Sequence, residues 1–285
     1  MRPVDEGCDV TCEPLATERS VAHALRSLPH PLHLLERAFG TGHYHLGLFD
    51  SAAETIGTAQ DRMSASAADA VQGSARVLDI GCGLGGTSRL LQQRGARVTA
   101  LEPDPLMVRF ARRSRGQVVP STEVTFECKT LAEFSRGAAA SFDGAIALEV
   151  LQHFRSLDHF LADCARLLER GGRLAVHDVC ADVAMEWERV PFHRRGELPA
   201  RAEVAGFELA YRKDESQRVV PTFAHLVRGL TLDRSDAVGF FGAECASQRQ
   251  LVESQFEEVI GHIQALWKAV SHGDLGYETM VFVRR

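Results

Sequence analysis

The stretch Val77-Leu78-Asp79-Ile80-Gly81-Cys82-Gly83-Leu84-Gly85-Gly86 decides how this chain is read. An apolar run carries Asp79 near its end, and four glycines follow within six positions. Residues 87–93 then continue without a breaker, so the pattern is a strand, a glycine turn and a helix start. Glycine is needed where the backbone takes positive φ, or where it must approach a ligand with no Cβ between. The helix start offers unpaired N–H groups to a polar or anionic part of such a ligand. Glycine this dense weakens a fold unless something uses the space, so the turn reads as a ligand cradle.

Two ligand classes compete for it. Gly81, Gly83 and Gly86 satisfy G-x-G-x-x-G, and Glu102 lies near the place of a dinucleotide site's ribose acid. Asp79-x-Gly81-x-Gly83-x-Gly85 fits as well, and it resembles motif I of class I S-adenosylmethionine-dependent methyltransferases. In that family an acid stands two residues before the first glycine, where dinucleotide enzymes usually carry an apolar residue. S-Adenosylmethionine has no pyrophosphate. It carries an ammonium, a carboxylate and a sulfonium, so a carboxylate beside the turn suits it better. A nicotinamide-dependent enzyme stays open as the weaker reading.

The 285 residues are 45% hydrophobic and 25% charged, enough for one large core and a subdomain. A net charge of -6 argues against a nucleic-acid partner, which calls for a basic face. Seven scattered cysteines form no C-x-x-C pair, which points to free thiols in a reducing compartment. The N-terminus has no apolar signal core, and no apolar run approaches the roughly 18 residues of a membrane span. The expectation is a soluble, cytoplasmic protein with no membrane partner.

Strand patterns fall at 76–80, 97–102, 124–128, 141–148 and 174–179, from 206 onward, and at 277–283, with helical patterns between them. With the resemblance, they predict an α/β fold: a Rossmann-like, seven-stranded, mostly parallel sheet with helices on both faces. An N-terminal helical cap and a helical insertion before the last strand complete it. The divisions are a disordered tail over 1–18, a cap over 19–72, and a core over 73–285. Within that core, 216–270 is an acceptor-side insertion. In the helix after the fourth strand Ser156 is the N-cap, and Leu157, Phe160, Leu161, Cys164 and Leu168 form the buried stripe. The family inserts its last strand antiparallel at the sheet edge.

Further residues extend the resemblance. Gly42-His43-Tyr44-His45-Leu46-Gly47-Leu48-Phe49 resembles the segment that folds over the cofactor in tocopherol, ubiquinone and natural-product tailoring methyltransferases. It implies Tyr44 as a cofactor contact. Glu149-Val150-Leu151-Gln152-His153 resembles the E-x-L-x-H stretch that closes one side of the cofactor site. Asp79 and Glu102 end adjacent strands at the edge where open α/β sheets bind ligands. The resemblance gives Glu102 to the two ribose hydroxyls, with Pro103 beside it. The family's adenine-binding Asp is missing after the third strand, which leaves Thr130 and the backbone at Leu131. The implied cofactor set is Tyr44, Asp79, Gly81, Gly83, Gly85, Glu102, Pro103, Thr130, Leu131 and Glu149. The cofactor is S-adenosylmethionine and its product S-adenosylhomocysteine.

Methyl transfer needs donor and nucleophile held in line and, for a hydroxyl acceptor, a group to remove the proton. Histidine titrates near neutrality and suits that task. His153 as base, with Asp178 orienting it or the acceptor, matches the tailoring branch, and strand alternation turns His177 to the opposite face. His43-x-His45 and His30-x-x-His33 lack a carboxylate pattern, so no metal is expected. The favoured reading is O-methylation of a small, partly apolar metabolite. Phe39, Tyr44, Phe49, Trp187, Phe192, Phe223, Phe240 and Phe241 are candidate pocket residues. C-methylation of a prenyl, indole or aromatic acceptor stays open, coupled to cyclisation or not. So does a cofactor-binding cyclase or assembly partner.

Overall fold

The computed structural model describes residues 42–51, 53–113, 123–137, 141–182, 186–187, 190–241 and 246–285. The tail over 1–18, the first part of the cap and Phe39 lie outside the described residues.

Seven strands form one sheet in the order β3-β2-β1-β4-β5-β9-β8. β1 (Arg76–Ile80), β2 (Arg97–Leu101), β3 (Val124–Glu127), β4 (Phe142–Leu148) and β5 (Leu168–Ala181) run parallel. β9 (Leu275–Arg284) pairs antiparallel with both β5 and β8 (Phe207–Asp214). The last strand therefore sits one place inside the edge, which is formed by β8. β6 (Glu186–Trp187) and β7 (Val190–Pro191) form a separate small hairpin in the region that follows β5.

The parallel strands are joined by helices, as the geometry of parallel crossovers requires. α1 (Ile56–Ala70) precedes the sheet, with Thr55 capping Thr58 N–H at 3.1 Å. α2 (Gly86–Gln93), α3 (Pro105–Arg113), α4 (Leu131–Gly137), α5 (Leu157–Leu167) and α6 (Glu197–Val204) follow in order. α7 (Ser216–Phe241) and α8 (Ala246–His272) pack on one another between β8 and β9. Val259, Ile263 and Val270 of α8 are buried in the core, as their helical spacing predicts. Val252 and Phe256 of the same pattern lie outside the described side chains.

Each sheet face carries its own apolar core. One holds Met63, Val77, Ile146, Ala175, Val219, Phe223 and Tyr277, under α1, α7 and α8. The other holds Leu78, Leu101, Phe160, Leu161, Val176 and Phe282, under α5 and α6. The N-cap at Ser156 accepts from His159 N–H at 3.3 Å, and α5 buries Phe160, Leu161, Cys164 and Leu167. Leu168 leaves that helix and opens β5, which begins earlier than its apolar pattern suggests. The Gly171-Gly172 turn is taken up as an irregularity, where the pairing jumps from Phe142↔Leu168 to Gly144↔Arg173.

Phe160 is fully buried. Replacing it with Ala should remove about 3–5 kcal/mol of stability, read as a lower midpoint in urea unfolding.

Candidate active site

The glycine turn is built by β1 meeting β2. Gly81 N–H and Cys82 N–H both donate to Leu101 C=O, at 2.8 and 2.9 Å. Gly81 has φ 72° and Gly83 φ 54°, a region that disfavours any Cβ. Neighbours fill the space thus freed. A Cβ at Gly81 would meet Val150 Cγ1 at 2.4 Å, and one at Gly83 would lie 3.2 Å from Tyr44 Cβ. Glu102, just past β2, is held flat at the turn: Oε2 accepts Gly83 N–H at 3.1 Å and Oε1 accepts Asp104 N–H at 2.9 Å. These two bonds fix the carboxylate against the amides of the turn. Pro103 is exposed at the same edge.

Asp79 lies beneath the turn. It is 1% exposed, its Oδ2 accepts from Ser88 Oγ on α2, and burial pushes its carboxyl up to about 6. The Asp79 motif was legible in sequence; its partner Ser88 was not singled out.

Residues 42–49 form a strap over this edge. Gly42 C=O accepts Gly86 N–H at 3.1 Å, and Leu46 N–H donates to Glu149 Oε1 at 2.8 Å. Gly47 N–H donates to Thr222 Oγ1 of α7 at 2.9 Å, and Leu48 N–H to Ala59 C=O of α1 at 2.9 Å. A buried polar chain runs beneath the strap. His43 contacts Asp61 at 3.0 Å, His45 at 3.2 Å and Ser64 at 3.1 Å, and Ser64 contacts Thr87 at 2.8 Å. Burial lowers both imidazoles, His45 to about 3.

At the end of β4, Glu149 has φ 54°, the one positive φ on a non-glycine among the described residues. Its Oε1 accepts from both Leu46 N–H and the Tyr277 hydroxyl of β9, the latter at 2.9 Å. Burial is the main cause that pushes its carboxyl up to about 8. A 3-10 turn (Leu151–His153) follows. His153 is exposed at the end of that turn, yet enough protein surrounds the ring to lower its pKa by desolvation. The β6–β7 hairpin lies against the same turn through β7.

Asp178 does not reach His153. It is fully buried: Oδ2 accepts Val150 N–H at 2.9 Å and Leu151 N–H at 2.8 Å, and Oδ1 accepts Val179 N–H at 2.8 Å. It fixes the backbone that carries His153 and does not contact the ring. His177 points the other way, as alternation requires, with Nδ1 3.0 Å from Thr279 Oγ1 and a pKa lowered to about 4 by burial. Thr130 departs from expectation as well. Its N–H and hydroxyl both donate to Glu133 Oε2 at 2.8 Å, and Glu133 N–H returns to Thr130 Oγ1 at 3.2 Å. This is a capping box for α4, legible in the spacing Thr130-x-x-Glu133, and it occupies the groups assigned to adenine. Leu131 is buried at the first position of α4. Of the candidate pocket aromatics, Phe192 and Phe223 are core residues, and Phe49 is buried and stacked on His225 at 5.3 Å. The side chains of Trp187, Phe240 and Phe241 lie outside the described residues. Among the described residues, no group of three or more His, Cys, Asp or Glu side chains could hold a metal ion.

Residues 78–176 match the family described as a methyltransferase domain. Residues 78–176, from β1 into β5, therefore form a methyltransferase domain. Among the similar curated proteins is the O-methyltransferase resE of Aspergillus sclerotiorum, 31% identical over 50% of this chain and 55% of that protein. A ubiquinone biosynthesis O-methyltransferase of Methylocella silvestris is 37% identical over 34% of this chain and 37% of its own length. The chain thus spans about half or less of the curated relatives it matches. The fold is also that of the cyclopropane synthase MmaA2 from Mycobacterium tuberculosis, with a TM-score of 0.75 at 15% identity over 94% of this chain and 99% of that one.

The methyltransferase domain fits its cofactor by its own geometry. Glycines at positive φ open the turn, and a fixed, partly exposed carboxylate stands at Glu102 on one side of it. A second partly exposed carboxyl stands at Glu149 on the other side. No helix among the described residues is long and apolar enough to cross a membrane.

A Cβ at Gly86 would meet Gly42 O at 2.6 Å and His43 Nδ1 at 2.5 Å. Gly86→Ala should therefore lift the strap, at about 1–3 kcal/mol of overpacking. S-Adenosylhomocysteine affinity should fall about tenfold or more in calorimetric titration, while the circular dichroism spectrum stays unchanged.

Proposed function

We propose that the chain transfers a methyl group from S-adenosylmethionine to a hydroxyl of a small, partly apolar metabolite. The observation that carries this is His153: an exposed imidazole, its pKa lowered by desolvation, on the turn that leaves β4 and packs Val150 against Gly81. A neutral imidazole there is ready to accept a proton. The relative named an O-methyltransferase supports the same reading.

When bound, S-adenosylmethionine supplies an electrophilic methyl on a positively charged sulfur. Glu102 holds the ribose hydroxyls, with Pro103 and the backbone at Leu131 flanking the base. Gly81, Gly83 and Gly85 admit the amino-acid end, Asp79 favours its ammonium from below, and Tyr44 covers it. His153 accepts the hydroxyl proton as the acceptor oxygen forms its bond to the methyl carbon. The sulfur of a bound donor would keep the electron pair of the carbon–sulfur bond. Asp178 positions His153 through the backbone of Val150 and Leu151. Holding both partners in line, rather than proton removal alone, supplies most of the acceleration.

His153→Ala should leave S-adenosylhomocysteine affinity within about twofold and lower kcat on a hydroxyl acceptor by roughly a hundred- to ten-thousandfold. Glu102→Ala should abolish binding of the same ligand. Full activity of His153→Ala would sink the base assignment and turn attention to a carbon acceptor, which needs no base to start. Absence of binding in the wild type would end the methyltransferase reading.

A further inference from the structure

Glu149 has a setting that the transfer reaction leaves unexplained. Glu149 is half-buried as a residue, and its carboxyl is closely surrounded by protein. Both of its donors, Leu46 N–H and Tyr277 O–H, converge on Oε1. Both donors favour the ionised form, and burial opposes them, so the proton is held in a balance that a nearby charge can tip. The backbone strain at φ 54° is kept in place by Glu149 N–H on His177 C=O at 2.8 Å and by Gln152 Nε2 on Glu149 C=O at 2.7 Å. Strained backbone held this firmly is a mark of functional positions.

Its position names the charge that it meets. Glu102 and Glu149 leave β2 and β4, which flank β1 and the glycine turn. At about 4.8 Å per strand, the two sites stand roughly 10 Å apart. A hydrogen bond of about 2.7 Å from Glu102 to a ribose hydroxyl, followed by the sugar and its attached sulfur, covers about that distance to the methyl. Val150 packed on Gly81 brings Glu149 up to the turn itself.

Resting on the cofactor reading above, we propose that Glu149 is the group that tells methyl donor from demethylated product. It gives up its proton to solvent when the sulfonium arrives, and takes one back once transfer has left a neutral thioether. An ionised carboxylate stabilises the cation, and it gains nothing from a neutral sulfur. Donor is thereby favoured over a product of nearly the same shape.

The surrounding ionisable groups do not supply a rival cation. They are Asp79 of β1, His177 and Asp178 of β5, Tyr277 of β9, His43 and His45 of the strap, Asp61 of α1, and Glu215 before α7. The buried imidazoles at His45 and His177 stay neutral above about pH 4, and Arg62 and Arg218 are held by Asp50, Glu54 and Glu215. Glu149 accordingly stands at about 8 in the free protein. Donor binding lowers that value, so below pH 8 binding releases a proton and strengthens as pH rises, by up to about tenfold per unit. Above pH 8 the gain levels off.

The test is calorimetric titration of S-adenosylmethionine and S-adenosylhomocysteine between pH 6.5 and about 9, in buffers of differing ionisation enthalpy. It uses wild type, Glu149→Gln and Tyr277→Phe. The gap between wild type and Glu149→Gln cancels the ligands' own ammonium titration. The expected result is proton release with the sulfonium donor alone, lost in Glu149→Gln. In Tyr277→Phe, which removes a donor to the carboxylate, the pH of levelling should move upward. Equal pH dependence for both ligands would place Glu149 on the shared ammonium and overturn the proposal, as would no proton release with either. Failure of both ligands to bind wild type would overturn the cofactor reading instead, and the proposal with it.

Discussion

At Gly81, Gly83 and Gly86 the missing side chains decide what can stand next to the turn. A Cβ at these places would meet Val150, Tyr44 and His43 at 2.4, 3.2 and 2.5 Å. These neighbours come from two separate parts of the chain: the exit of β4, and the strap ahead of α1. Without the three glycines neither could close on β1, and Glu102, Tyr44 and Glu149 would not share one edge. The glycine pattern therefore does more than leave room for a ligand. It sets the contacts by which the rest of the chain encloses that room. Positive φ at Gly81 and Gly83 then aims the turn's amides: two onto Leu101 C=O, and one onto Glu102.

The strap is held by polar contacts as well as by the burial of Leu46, Leu48 and Phe49. Buried polar groups are costly unless partnered, and a network that is satisfied specifies one arrangement. His45 Nδ1 reaches Leu46 C=O at 2.7 Å, Gln60 donates to His45 C=O at 2.7 Å, and Ser64 joins His43 to Thr87 on α2. His45 Nδ1 donates to the carbonyl, which leaves its Nε2 as an acceptor within the chain, and burial lowers the pKa of both imidazoles. The same strap delivers Leu46 N–H to Glu149. That hydrogen bond ties the strap directly to the carboxyl at the end of β4.

Sequence reading reached the fold because its signals were local and redundant. Apolar runs ending at Asp79 and at Glu102, with glycine or proline next, leave little choice but parallel strands with ligand-facing ends. The strap was legible through its resemblance, and the direction of His177 through alternation. What escaped was side-chain pairing across long separations. Tyr277 lies 128 residues from Glu149, and no spacing rule joins them. Asp178 was read as a partner of His153 because both end neighbouring strands. The fully buried side chain instead meets the nearer backbone amides of Val150 and Leu151, which would otherwise stay unpaired. Thr130 was misread for a local reason: its capping box with Glu133 was there to be seen, and a missing adenine contact drew attention from it.

Two carboxyls with different settings now flank the transfer site. Asp178 accepts three backbone N–H groups and is shielded from solvent; its value near 7 reflects burial opposed by those bonds. Glu149 accepts donors on one oxygen alone, is partly open, and stands higher, near 8. Environments that push apart the proton affinities of paired acids give them separate tasks. Asp178 has its acceptor capacity taken up by the main chain, so it holds geometry. Glu149 keeps one oxygen uncommitted, so it answers to charge. A reaction that begins with a cation in the site and ends without one calls for both: a frame that does not move, and a group whose protonation follows the charge.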